Sequence, residues 1–493
     1  MTDLDRRVLL GLAGLAGAAA VTQMSKAGSL NPPPGPVAPT GKTTDQIEPR
    51  IDLLNAPAWA NVTSDANNHY VINNAGSYYL SANLSVSKPA GILINAPGVT
   101  LDLSGFEVSG SGTQVGIKAA ATLERIAICN GTMRDLDRGI EANTAYVGRF
   151  SHLAIAQCAY AGLMPCAESL IEACVLRNNG GLGVFSNSQV GRAIVSDCVA
   201  DSNGKDGFYF LGTVLMTRCI ASNNRGSSGI TAGDRSKLTD CLAVDNGPGS
   251  MEATAILAFD YAVLTRCVAV RNQATFGISV GTASIVADCI ASLNVASATS
   301  SRSGGFYLAA SSVARSCTSA SNSSAAPPTG QTGMGFFMVG SEFRVEDCSV
   351  LQNTGDGICV GDPSNATPVA QCRIARCEAN ENGFDGIHVV GSDVSVIDNR
   401  CLKNGGSGVY VQSGSSNIIR GNEVLGNTSA GLQIDSAVCC AYGNVARGNS
   451  PNYSIVAGNR IGTIVAPATN ASAISGNSGG SAFSTDPYAN VAF

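Results

Sequence analysis

Along most of this chain, short runs alternate apolar and polar residues with a period of two, and each run opens on the same punctuation. Gly207-Phe208-Tyr209-Phe210, Gly305-Phe306-Tyr307-Leu308, Gly386-Ile387-His388-Val389 and Gly408-Val409-Tyr410-Val411 share the form Gly-Φ-x-Φ, where Φ is apolar. Such alternation predicts a strand buried on one face, with Φ pointing inward and x outward. A second phrase precedes each run. Asp197-Cys198-Val199-Ala200 leads to Asn203, Arg218-Cys219-Ile220-Ala221 to Asn224, and Asp240-Cys241-Leu242-Ala243 to Asn246. The phrase extends from Cys174/Asn179 to Cys377/Asn382, and from Asn399/Asn404 onward the cysteine slot itself becomes Asn. Successive ladder cysteines lie 21 residues apart at the shortest (Cys198 to Cys219) and 31 at the longest (Cys317 to Cys348).

A repeat of that length, made of short strands and turns, predicts an all-β solenoid: one parallel coil per repeat, with insertions in loops. Parallel strands stack at ~4.8 Å, so every slot becomes a column of like residues. The Asn column is expected to hydrogen-bond along the stack and satisfy turn backbone. The Cys column is expected to be packing, since Cys is small and tolerates burial. No CxxC pair of the metal-ligand kind occurs in it. The residue before the ladder position runs Asp197, Arg218, Asp240, Arg266, Asp288, then Ser316, Asp347, Arg376, Asp398, and the alternating charges of the first stretch predict a ladder of ion pairs that fixes register.

Composition sharpens this picture. In 493 residues there are 57 Gly, charged residues make up 13% and hydrophobic ones 44%. That is too apolar for a disordered chain and too poor in helix formers for a helical one. The net charge of −6 argues against nucleic acid as a partner. Asp5-Arg6-Arg7-Val8-Leu9-Leu10, an apolar run Leu9 to Val21 and the small-x-small site Ser25-Lys26-Ala27 resemble a twin-arginine export signal over 1–27. The apolar run is short for a bilayer span, so no stable membrane span is expected once the signal is removed. A Pro-rich linker is expected over 28–60, the solenoid over 61–465 and a C-terminal cap or tail over 466–493. Such a chain is expected in the periplasm, at the cell surface or outside the cell. Cys439 and Cys440 are adjacent and fit no slot.

The phrases Asn-x-x-Asp-Gly-Ile and Ser416-Asn417-Ile418-Ile419-Arg420-Gly421-Asn422 resemble right-handed parallel β-helix proteins of the pectate-lyase-like superfamily. The chain is similar, more closely, to a group of exported bacterial β-helix repeat proteins. That similarity rests on Gln46-Ile47-Glu48-Pro49-Arg50, Gly76 to Leu84, Val99 to Phe106 and Asp486-Pro487-Tyr488-Ala489-Asn490. The resemblance implies a single-stranded right-handed parallel β-helix with N- and C-terminal caps. It also implies a lyase, epimerase or hydrolase acting on polysaccharide. A further likeness, to β-helix repeats that serve copper-site maturation, sits poorly with three His and few exposed Met.

No complete catalytic pattern of the superfamily is present. Paired Asp with Gly-His-Gly and Arg-Ile-Lys is missing, as is Asp-Pro-His-Asp. The best cluster is Asp356 and Asp385, which share a slot in successive coils, with His388 just after. Two carboxylates one coil apart would raise one pKa or hold a cation, and Ca²⁺ is the candidate cofactor. The competing reading is that Asp here closes the turn before Gly, as Asp206 does. Lys403 lies close in sequence. The outward column reads Met164, Phe185, Tyr209, Thr231, Leu257, Ser279, Tyr307, Phe337, Cys359, His388, Tyr410, Gln433. Tyr209, Tyr307, Phe337 and Tyr410, with Lys403, are the candidate substrate-binding residues, because sugars stack on aromatic rings. A covering loop or subunit would explain the same stripe. A second charged stretch, Arg134 to Glu141 with Arg149 and His152, reads as a groove for an acidic sugar or as local ion pairs. Two functions therefore stand: binding or processing of an extracellular polysaccharide, or a non-catalytic surface scaffold.

Overall fold

The computed structural model describes residues 50–247, 253–297, 300–325, 330–363, 369–465 and 486–492. The chain divides into two compact units at Pro49/Arg50, and the second holds every described residue. The expected export signal, most of the expected linker and most of the expected tail lie outside the described residues.

Each coil of the second unit is built from three short strands and their corners. One coil runs Lys237–Thr239, a corner at Asp240, Leu242–Val244, a corner at Asp245, and then Thr254–Ala258 after a loop. Within the stack, strands pair in parallel with their equivalents in neighbouring coils. Leu238 lies against Leu264, Ala243 against Ala269 and Ile256 against Ile278. The expected parallel solenoid is therefore what forms. Among the described residues the one antiparallel pair, Val62–Thr63 with Val71–Ile72, lies at the first coil, and the one helical element is a 3₁₀ turn at Ala58–Ala60. No described helix is long and apolar enough to cross a membrane. Sheet pairing begins at Ile51–Asp52 and ends at Asn490–Ala492, inside the segments expected as linker and tail.

Inward side chains form one continuous core, in which Phe306 and Phe336 stack with centroids 4.5 Å apart. Three inner corners bound that core, and each must satisfy buried backbone groups. At the first, the Asn column runs from Asn179 to Asn449. Asn294 shows the pattern. Its Oδ1 accepts from the Asn272 backbone N–H at 3.1 Å and from Asn272 Nδ2 at 2.9 Å. Its Nδ2 donates to Ala269 O and to Asn322 Oδ1, both at 3.0 Å. At the second corner stand the cysteines, and the structure adds a role to packing. The Cys289 thiol donates to Ala287 O at 3.2 Å and accepts the Cys267 backbone N–H at 3.3 Å. A thiol here does a smaller version of what Asn does, which is why Asn399, Asn422 and Asn444 continue the same column. Asn490 then closes it, accepting the Asn444 N–H at 3.0 Å. The third corner carries Ser236, Ser284, Ser312, Asn417, Cys439 and Asn459 in the same role. That accounts for the adjacent cysteines. Cys439 is the buried corner residue, and Cys440 faces the other way, paired with Ile418. All seventeen cysteines are free. Burial pushes the thiols of Cys158 and Cys166 up to about 12.

The corners demand unusual backbone. The residue before each ladder position is left-handed even when it is not Gly: φ is 56° at Asp197, 51° at Arg218 and 55° at Leu293. At Gly386 the reason for glycine is contact. A Cβ there would lie 2.6 Å from Gly408 O and 2.8 Å from Asn404 Nδ2, because the ladder passes directly beneath the strand. The predicted ion-pair ladder also forms, as bidentate pairs Arg218–Asp197, Arg266–Asp240 and Arg376–Asp347. All three are exposed, so they tune register more than stability.

Replacing Asn294 by Ala should strand the buried Asn272 backbone N–H and take the side-chain donor from Ala269 O. Each buried unpaired group costs ~1–3 kcal/mol, so a loss of about 2–4 kcal/mol is expected, read as a lowered urea midpoint. Arg266→Ala should move that midpoint far less.

Candidate functional site

The Gly-Φ-x-Φ strands stack as anticipated, and pairing reproduces the outward column residue for residue. Phe185 lies against Tyr209, Ser279 against Tyr307, Tyr307 against Phe337, Phe337 against Cys359, Cys359 against His388 and His388 against Tyr410. The column is not an open platform throughout. Thr231, Phe337 and Cys359 are buried, whereas Phe185, Tyr209, Tyr307 and Tyr410 are half-buried. Phe337 packs with Phe276, Met334 and Cys359 in a small apolar cluster outside the main core, with Tyr307 against it. The x side chains point outward as expected, and the alternative of a covering loop holds in the middle of the stripe, where an insertion carrying Arg302 lies over it. From one insertion Arg302 lies over the Phe337 ring, 5.8 Å from its centroid, and forms an ion pair with the buried Asp362. A cleft of about 520 Å³ opens beside it, lined by Phe276, Ser279, Ser300, Arg302, Tyr307 and Phe337. Further along the column, Tyr209 forms an aromatic pair with Phe185, centroids 5.7 Å apart.

The structure brings Asp356, Asp385 and His388 together. Asp356 and Asp385 hold the same turn slot in successive coils, and each first serves the backbone. Asp356 Oδ1 accepts the Asp385 N–H at 2.9 Å, and Asp385 Oδ1 accepts the Ser407 N–H at 2.6 Å. Asp206 does likewise for Ser228 at 3.0 Å, so the turn role is real and general. What distinguishes Asp356 and Asp385 is the imidazole placed between them. His388 Nδ1 lies 3.0 Å from Asp356 Oδ2 and 3.7 Å from Asp385 Oδ2. Its Nε2 lies 2.9 Å from Gln412 Oε1, and its ring stacks on Tyr410 at 4.8 Å. Both ring nitrogens therefore face acceptor oxygens, an environment that stabilises the doubly protonated imidazolium.

Two residues here gave no signal in the alternation. Gln412 is an inserted residue: Val389 pairs with Val411 but Val390 with Ser413, a bulge that sends Gln412 out to His388. Asp435 lies past the strand end and accepts from Tyr410 OH at 3.0 Å and from Gln433 Nε2 at 2.9 Å. Lys403 is placed elsewhere. It is an exposed corner residue with φ of 49°, and among the described residues it makes no ion pair with Asp356 or Asp385. The charged stretch near Arg134 resolves into local pairs: Arg134 with Glu107 at 2.8 Å, Arg138 with Glu141 at 3.2 Å, and Arg149 with Glu172 at 3.3 Å.

Burial, and then the Asp356 charge, lift the Asp385 carboxyl to about 6. Burial works against a charged His388, but the bond to Asp356 and the charges of both aspartates outweigh it and raise the imidazole. Both groups bind protons more tightly when folded. Asp385 therefore contributes stability that is full below its ordinary value of 3.8 and lost as pH rises through about 6. Tyr410, part-buried and bonded to Asp435, is pushed up to about 12. As a cofactor, Ca²⁺ fits poorly: it takes six to eight oxygen ligands, whereas a nitrogen and the Cys359 sulfur converge with the Asp356 carboxylate. With only three histidines, the ring-proton NMR spectrum can be read directly. His388 should titrate above 6.5. His69, pushed down by partial burial and by Lys88, should titrate below it. A His388→Gln variant assigns the signal.

A model of the right-handed β-helix region matches residues 166–324 and 334–483. No curated protein matches the chain. Among solved structures, a double mutant of the periplasmic alginate epimerase AlgG is 10% identical, covering 83% of this chain and 82% of its own, with a TM-score of 0.31. The A-module of the mannuronan C-5 epimerase AlgE4 from Azotobacter vinelandii is 14% identical, covering 78% and 88%, with a TM-score of 0.27. The catalytic domain of a GH87 α-1,3-glucanase is 11% identical, covering 80% and 70%, with a TM-score of 0.31. With the family model spanning well over half of the sequence, and with coils that stack in parallel throughout, this chain belongs to the right-handed β-helix family.

Proposed function

We propose that this protein is exported, that it binds an extracellular polysaccharide along the outer face of its Gly-Φ-x-Φ sheet, and that Asp385 and His388 perform acid–base chemistry on it. One observation carries the reading. An imidazole is clamped between Asp356 and Gln412, and a second carboxyl, 3.7 Å from its Nδ1, holds its proton up to about pH 6. A turn-closing aspartate needs no such neighbour, and Asp206 has none. Asp385 is the least buried member of the trio and the proton donor; a carboxyl tuned upward by burial suits donation to a glycosidic oxygen. His388 is the fixed cation beside it, held by Asp356. Tyr410, one coil on from His388, and Tyr307, three coils back, offer half-buried rings for the apolar faces of sugar units. Tyr209, farther along the column, extends that surface. Export rests on the arginine pair and apolar run of residues 1–27.

The scaffold reading draws on a specific observation too: every aspartate of this slot, Asp206 included, caps the coil above it. Substitution separates the two. Asp385→Asn keeps an oxygen for the Ser407 N–H and removes the proton. The purified chain is incubated with acidic and neutral polysaccharides, and reducing ends and unsaturated products are followed. Activity on one of them should fall at least ~100-fold in Asp385→Asn and in His388→Gln, the scale of a lost acid–base group. Asp206→Asn should retain it. Neither products nor retention on any glycan would leave the scaffold.

A further inference from the structure

The same cluster holds a feature that acid–base chemistry does not use. Cys359 is fully buried, yet it points away from the core, in the outward column beside His388. Among the described residues it is the one cysteine whose sulfur joins a carboxylate and an imidazole. One ligand atom each from Asp356, Cys359 and His388 lies within 4.8 Å of the others.

The second atom of each polar group is already tied down. Asp356 Oδ1 is held by the Asp385 N–H, which leaves Oδ2 facing the centre. His388 Nε2 is held by Gln412 Oε1, which leaves Nδ1 facing it. Asp385 Oδ1 is held by the Ser407 N–H, and its Oδ2 lies 3.7 Å from Nδ1. Ligating histidines and carboxylates are oriented in this way in metal sites, with the outer atom fixed by a hydrogen bond so that the inner one points at the ion. A sulfur, a nitrogen and two carboxylate oxygens suit a borderline-soft ion in tetrahedral geometry, with bonds of ~2.0–2.3 Å.

We propose that Asp356 Oδ2, Cys359 Sγ, His388 Nδ1 and Asp385 Oδ2 form a binding site for one divalent transition-metal ion of the Zn²⁺ type. The ligand atoms close in on binding, and Asp385 Oδ2, which stands outside the group of three and 3.7 Å from Nδ1, moves in to complete the set. The ion displaces the thiol proton and the proton between Nδ1 and Oδ2, and both pass to solvent. The site shares its residues with the proposed acid–base pair but does not depend on a glycan. The metal-loaded and proton-carrying clusters are alternative states of one site.

The reduced, chelator-treated full chain is titrated with Co²⁺ alone. One equivalent should bind, with a thiolate-to-cobalt charge-transfer band and the intense visible bands of a tetrahedral ion, and Zn²⁺ should abolish both. Cys359→Ser should lose the charge-transfer band, and Asp385→Asn should weaken binding at least tenfold. X-ray absorption of the Zn²⁺-loaded wild type should show one sulfur and three nitrogen or oxygen ligands, a reading that needs no variant to fold. Absence of the band, its survival in Cys359→Ser, or a shell of several sulfurs from the inner cysteine column would overturn the site. Glycan retention is followed separately on the chelator-treated protein. Retention without a cobalt band leaves the polysaccharide reading and removes this one, and the reverse removes only the other.

Discussion

A buried amide must find a partner for each of its donors and acceptors, and in this protein that requirement organises everything else. The Asn column meets it by passing the debt from coil to coil: each Oδ1 takes two donors from the coil before, and each Nδ2 gives to the next Asn and to a strand carbonyl. The scheme works only if the coils are in register. It forces left-handed corners at Asp197, Arg218 and Leu293, and it forces glycine where the strand crosses above the ladder, as at Gly386. Cys and Ser serve at the other corners because they offer the same two-way bonding in less volume.

The site is a by-product of that register. Because every coil repeats its slots, Asp356 sits one coil from Asp385, and Cys359 sits beside His388. Three features make this position differ from the Asp206 turn: a histidine in place of Tyr209, an inserted Gln412, and insertions that bury the neighbouring Phe337 and Asp362. Together they replace solvent around two carboxylates with an imidazole and apolar walls. The burial, with the Asp356 charge beside it, is why Asp385 keeps its proton to about 6, against the opposing pull of the imidazole.

How much of this was legible beforehand follows from the same logic. The Gly-Φ-x-Φ alternation and the fixed Cys-to-Asn spacing are local and periodic, so strands, coils and the order of the outward column could be read from residues alone. The meeting of Asp356, Asp385 and His388 followed from slot equivalence. Insertions are not periodic. Nothing in the alternation says that Arg302 and Asp362 meet over Phe337, that Cys359 is sealed from solvent, or that one extra residue turns Gln412 toward His388. Lys403, near His388 in sequence, sits at an exposed corner and, among the described residues, forms no ion pair with Asp356 or Asp385. The cysteine column was legible as packing, but its hydrogen bonds appeared only when the carbonyls it serves were in place.

The central claim is that Asp385, tuned by burial and by its neighbours, is the acid that acts on a bound polysaccharide. The pH dependence of kcat/KM on a polysaccharide found to be turned over tests it most directly. The account predicts that activity falls as pH rises through about 6, and that this limb disappears, with the residual rate, in Asp385→Asn. A profile that is flat from pH 5 to 7, or a limb near 6 that survives in Asp385→Asn, would contradict it.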